Sequence, residues 1–203
     1  MRPVAFLFVS LFATLLPACA SSLPSAPVTV LLRFEQDHST ASLDEMQHEL
    51  EILFKKTGYR FAWKQVDQIG SSESFDDLVV VKMKGRCAME PEPLVYDERG
   101  PLAFTHSADG QVLPFSEVEC DKVRRSVERA LAGNDRAHTE QVYGRALGRV
   151  LAHELYHIFA KTCHHGQEGV AKTSLSGKAL VSNRLQFAPS ELHELAHFRR
   201  DRP

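Results

Sequence analysis

Two stretches of this 203-residue chain set out histidine, glutamate and histidine in the order His-Glu-x-x-His. One is His153-Glu154-Leu155-Tyr156-His157; the other, forty residues on, is His193-Glu194-Leu195-Ala196-His197. On an α-helix, residues four apart share a face, about 6 Å apart along the axis. Two imidazoles so placed can both reach one tetrahedral zinc ion (Zn2+) at ~2.0–2.1 Å. The glutamate one position on points to a neighbouring face, where it ligates poorly but can take a proton from water activated at the metal. The chemistry written into this spacing is attack of water on an unactivated carbonyl, provided that a third ligand exists.

Context separates the two copies. The first lies in "GRALGRVLAHELYHIFAKT", where Leu151, Leu155, Ile158 and Phe159 supply apolar packing. Glu154 is the only acidic or basic residue between Arg149 and Lys161, as a helix buried beneath a sheet requires. The second copy has Glu191 before it, the charged run 199–202 after it, and the chain end six residues away. Leu192, Leu195 and Phe198 give it the stripe of a surface helix that packs back on the body. His153 and His157 are therefore the expected metal ligands and Glu154 the expected general base. An unbroken helix would carry His165 about 18 Å from His153, so the helix must end near Lys161 and the chain turn back. "TCHHGQEG" supplies that loop and brings two adjacent histidines, His164 and His165, although Gly166 and Gly169 follow them.

The elements that must position these residues follow from periodicity. "VTVLLRFE" (28–35) reads as a first strand, and "SLDEMQHELEILFKKTGY" as an amphipathic helix. Ser42 is its expected N-cap with Glu45 as capping-box partner, and Gly58 its stop. "YRFAWKQV" and "DLVVVKMKGR" are two more strands, and "CAMEPEPLVYDERGP" is a loop. "LAFTHSADGQVLPFSEVEC" is a hairpin turning at Asp109-Gly110. Two helices follow: "CDKVRRSVERALAG", ended by Gly133, with Asp121 and Arg124 read as solvated, and "TEQVYGRALGRVLAHELYHIFA". An irregular tail from Thr173 leads to a short helix capped by Ser190. The order β-α-β-β-hairpin-α-α predicts an α+β fold: a small mixed sheet, an N-terminal helix and a central helix bearing the first His-Glu-x-x-His.

Residues 1–20 read as a secretory signal peptide: Arg2, an apolar run "VAFLFVSLFATLL" too short to span a bilayer, then "ACASS". "LPAC" also fits a lipoprotein signal cleaved before Cys19, with lipid on its sulfur. Residues 21–203 are then one domain, with 173–203 as tail and short helix. The net charge of −2, with basic residues scattered, points away from nucleic acid, and membrane contact is expected only through lipid on Cys19. The place expected for the mature chain is the bacterial cell envelope or its exterior, as a periplasmic, secreted or lipid-anchored protein. Export makes a disulfide expected, and Cys87 pairs best with Cys120, each closing a strand-like run and leaving Cys163 free.

From His153 to Lys172 the chain resembles the zincin metallopeptidases, and within them small bacterial secreted members with a long spacing to the third ligand. Their third histidine stands eight residues after the second, and a Gly-aliphatic-Met turn follows. By that resemblance His165 completes the metal site with His153 and His157, and Gly169-Val170-Ala171-Lys172 is the turn. The resemblance also implies a zincin-like fold, an edge strand that receives extended substrate, and a peptide or protein as substrate. The chain departs from the compact HExxHxxGxxH form, with Ala160 for its glycine and Cys163 for its third histidine; Ala171 replaces the turn methionine. His164, Cys163, or Glu191 or Glu194 from the last helix remain alternative third ligands. A zinc amidase of another substrate, or a degenerate zincin that binds metal or a partner without turnover, are the alternative functions. His106, on the hairpin strand expected to flank the cleft, is a further candidate for orienting substrate.

Overall fold

The valine-rich runs become strands because every second residue is taken out of water. The computed structural model describes residues 26–89, 99–131 and 138–200. Its strands are β1 (Val28–Phe34), β2 (Phe61–Gln65), β3 (Leu78–Lys84), β4 (Ala103–Ala108) and β5 (Gln111–Glu119). They form one sheet in the order β2-β1-β3-β5-β4, with β2, β1, β3 and β5 parallel and β4 antiparallel to β5 at the edge. Val30 and Leu32 of β1, Val79, Val81 and Met83 of β3, and Val118 of β5 are fully buried on one face. On the other face Lys84 pairs with Glu117 and Glu119, and Lys82 with Glu35. Parallel strands usually read as continuous apolar runs; these alternate because helices cover one side only. The signal peptide expected at 1–20, most of the loop expected over 87–101 and the expected helix stop at Gly133 lie outside the described residues.

The helices are α1 (Thr40–Phe54), α2 (Cys120–Leu131), α3 (Thr139–Ala160), α4 (Gly177–Val181) and α5 (Pro189–Arg200). The α+β, zincin-like layout expected from the sequence is the one observed, with several local corrections. The N-cap of α1 is Ser39, whose Oγ accepts from the Ser42 N–H. Ser42 is buried inside the first turn and hydrogen-bonds Glu140 of α3, a tertiary bond that local sequence does not announce. Gly58 lies beyond the end of α1, at φ +82°, where the chain turns towards β2. The tail contains the unforeseen α4, capped by Ser176, and α5 begins at Pro189, the first helical position proline favours. Asp121 and Arg124 are buried against one another at 3.1 Å, contrary to the solvated reading.

α3 crosses α1 at close range. A Cβ at Gly144 would lie 2.4 Å from the Ser42 carbonyl oxygen, and one at Gly148 2.7 Å from that of Met46. Beside this crossing Arg149, buried in α3, donates to Glu49 of α1 at 2.7 Å and to the carbonyls of Leu180 and Ser182 at the C-terminal end of α4. The Cys87–Cys120 disulfide is formed, tying the segment after β3 to the start of α2. Cys163 is free and exposed. No described helix is long and apolar enough to cross a membrane.

Candidate metal centre

His153 and His157 lie on the α3 face turned towards the hairpin, His157 buried and His153 half-buried. Their Nε2 atoms are 3.1 Å apart. α3 stops at Ala160 because Lys161 adopts the left-handed conformation, at φ +49°, and its N–H returns to the His157 carbonyl. This is the helix-ending geometry that glycine usually supplies, here taken by lysine before the loop glycines are reached. The reversal swings His165 under the two helical histidines, with ring centroids 5.2 Å from His153 and 4.7 Å from His157. One ligand atom from each of the three lies within 4.8 Å of the others. His164 is exposed and outside this cluster, and Cys163 stands on the cleft wall.

After His165 the chain makes a narrow loop. The Gly166 N–H donates to the Ala171 carbonyl, and Gly169 takes φ +73°. The Val170 carbonyl comes within 2.8 Å of His153 Nδ1, and the Thr162 carbonyl within 2.8 Å of His157 Nδ1. A carbonyl only accepts, so each Nδ1 carries the proton. Both Nε2 atoms are then bare lone pairs facing one another at 3.1 Å, an arrangement that repels unless a cation lies between them. Two zinc–nitrogen bonds of about 2.0–2.1 Å at a tetrahedral centre hold their nitrogens roughly 3.3 Å apart. Carbonyls that fix the outer nitrogens are the usual support of metal-ligating histidines. The donor set therefore fits zinc. Burial pushes the His153 imidazole down to about 4, with His157 and His165 adding to the shift and the Val170 carbonyl opposing it. Burial lowers His157 as well.

Glu154 is buried beside the cluster, its Oε2 2.7 Å from Thr105 Oγ1 on β4. The Thr105 hydroxyl gives its single proton to this carboxylate, and Ser116 then donates to Thr105 at 2.9 Å. Burial raises the Glu154 carboxyl to about 7 while the Thr105 bond opposes the rise. Thr105 was not singled out in the sequence, yet alternation along "LAFTH" puts it on the face opposite Phe104 and His106, which is the face covered by α3. His106 points away from the cleft and meets Glu117 at 3.3 Å.

β4 forms one wall of a cleft of ≈ 350 Å³ that includes Phe104, Thr105, Glu154, His157 and His165. A pocket of ≈ 220 Å³ bounded by Leu102, Ala103, Val150 and Leu175 adjoins Glu154. Because the Glu119 N–H bonds the Leu102 carbonyl, the bonded rungs of the ladder fall at 102/119 and 104/117. Ala103 and Thr105 therefore turn their main-chain N–H and C=O groups to the side of β4 that no other described strand covers.

In the second His-Glu-x-x-His, on α5, His193 and His197 are exposed, and Leu195 is buried with Leu192 and Phe198 packed against the core. Its acids point inward: Glu194 accepts from the buried Tyr156 hydroxyl at 2.6 Å, and Glu191 is buried behind the 166–171 loop.

No protein-family profile matches the sequence, and no curated protein is similar to it. The fold is similar to the crystal structure of archaemetzincin from Methanopyrus kandleri. The TM-score is 0.53 at 14% identity, over 86% of this chain and 96% of that one. At that identity the likeness is one of fold.

Proposed function

We propose that this chain is a zinc-dependent hydrolase of the zincin type that cleaves peptide bonds, with His153, His157 and His165 as the metal ligands and Glu154 as general base. The observation that carries the reading is the pair of bare Nε2 atoms, each aimed inward by a main-chain carbonyl on the far side of its ring. When bound, zinc supplies a Lewis acid that polarises a carbonyl and lowers the pKa of water towards ~7. Glu154 takes the proton from the attacking water and passes it to the leaving amine. A carboxyl raised to about 7 suits both halves of that exchange near neutral pH. Thr105 fixes the carboxylate between β4 and α3. An extended peptide adds as a further strand to the free edge of β4, bonded by the main chain of Ala103 and Thr105. The apolar N-terminal segment and the disulfide both suit an exported protein.

Metal content of the purified mature chain, measured by mass spectrometry, tests the assignment against His165→Ala and His193→Ala. Near-stoichiometric zinc, lost in His165→Ala and kept in His193→Ala, is the expected result. Zinc retained in His165→Ala would move the third ligand elsewhere, and no zinc in any form after reloading would sink the reading.

A further inference from the structure

The inward acids of α5 have a use that the exposed histidines beside them do not. Glu191 is 3% exposed. Its Oε2 accepts from the Ala188 N–H at 2.8 Å, and the Ala171 N–H also faces the carboxylate and opposes the rise that burial gives its pKa. Its Oε1 has no hydrogen-bond partner among the described residues, and it lies where a Cβ on Gly166 would come within 2.4 Å. A Cβ on Gly169 would meet Oε2 at 2.9 Å. The carboxylate thus fills the hollow of the loop that starts beside His165 and ends at Val170-Ala171. Both glycines of that loop leave room for it. The same loop is held from the other side by the Val170 N–H donating to Gln186 at 3.1 Å.

We infer that Glu191 is a positioning residue for the metal centre: through the 166–171 loop it sets the Val170 carbonyl against His153 and holds His165 in reach. The inference rests on the zinc reading above. The plainer role for Glu191 is helix capping, since a glutamate at the third position of a helix commonly returns to the N-cap N–H. Capping explains the Ala188 bond. It leaves unexplained the Ala171 N–H turned to the carboxylate, the burial, and an oxygen placed against the glycine next to a ligand.

The test uses the full mature chain and reads zinc affinity by competition with a chromophoric chelator, together with the visible spectrum of the cobalt-substituted protein. Removing a partner that orients a metal ligand weakens binding ~10–100-fold, so Glu191→Ala is expected to do so and to shift the cobalt bands. Glu191→Gln keeps an acceptor oxygen for Ala188 and Ala171, and should recover affinity to within about threefold of wild type. Glu194→Ala removes the α5 bond to Tyr156 without touching the loop. It should lower the thermal midpoint while leaving zinc affinity and the cobalt spectrum as in wild type.

Wild-type zinc affinity in Glu191→Ala, or equal weakening in Glu194→Ala, overturns the inference; the second result would mean that α5 matters only as a docked helix. Failure of the wild-type protein itself to bind zinc would instead defeat the reading beneath it. Should Glu191→Ala not fold, Gly166→Ala displaces the carboxylate from the opposite side. It is expected to weaken zinc by the same factor, and undiminished affinity there overturns the inference too.

Discussion

Two neighbouring groups, the half-buried His153 and the buried Glu154, titrate in opposite senses. The imidazole falls from 6.5 to about 4 and the carboxyl rises from 4.5 to about 7. Between about pH 4.5 and 6.5 the unfolded chain holds a proton on His153 that the folded chain lacks. The folded chain holds one on Glu154 that the unfolded chain lacks, so the two linkage contributions cancel. Glu154→Gln removes one side of that balance. In the zinc-free protein its stability, relative to wild type, is expected to fall as pH drops from 6.5 to 4.5, by up to about 1.4 kcal/mol per pH unit. Urea unfolding of both proteins at several pH values measures the difference, and parallel profiles would contradict it. With zinc loaded, the same variant should keep its metal while peptide hydrolysis drops ~10²–10⁴-fold; an active Glu154→Gln would leave the chain without its general base. The helical pair was legible in the sequence because i,i+4 spacing and uncharged neighbours are properties of a single segment. Thr105 was not, because its contact joins residues 49 positions apart.

Among the elements, the α1–α3 crossing and the α3 terminus are the places where packing overrides local preference. Gly144→Ala puts a methyl group against the Ser42 carbonyl at 2.4 Å and the Glu45 Cβ at 2.8 Å. Alanine is otherwise the better helix former, so a net loss of ~1–3 kcal/mol in denaturant unfolding would report the collision; a gain would mean that the helices separate freely. Lys161 sits in a conformation that a side chain disfavours by ~1 kcal/mol or more. Lys161→Gly is expected to raise stability by about that amount, less the added freedom of glycine in the unfolded chain, and to leave zinc content unchanged. The strands and long helices followed from periods of 2 and 3.6 in the sequence. The position of the α3 stop was inferred only from the need to bring a ligand back. Neither lysine nor the glycines after His165 mark it. The reading of Asp121 and Arg124 as solvated failed for a related reason: the Asp121 carboxylate sits in the space left by Gly85, where a Cβ would come within 2.0 Å of Oδ2, and that contact joins the ends of two strands far apart in sequence.

For the molecule as a whole, the Cys87–Cys120 link closes a loop of 33 residues that includes the β4–β5 hairpin carrying Thr105. Replacing both cysteines by serine should destabilise the zinc-free protein by about 2–5 kcal/mol. The transition midpoint with and without reductant checks this; no change on reduction would mean that the loop is held by packing alone. The pairing was legible from the ends of two runs, while the sheet order that brings those ends together was not. Among the described strands, β4 leaves one edge unpaired. An unpaired strand edge is open to any extended chain, a second copy included, which is how sheets polymerise. The irregularity between Thr105 and Ser107 breaks the ladder partway along. An extended chain laid along this edge therefore meets an unbroken run of outward groups only from Ala103 to Thr105, a short template for pairing.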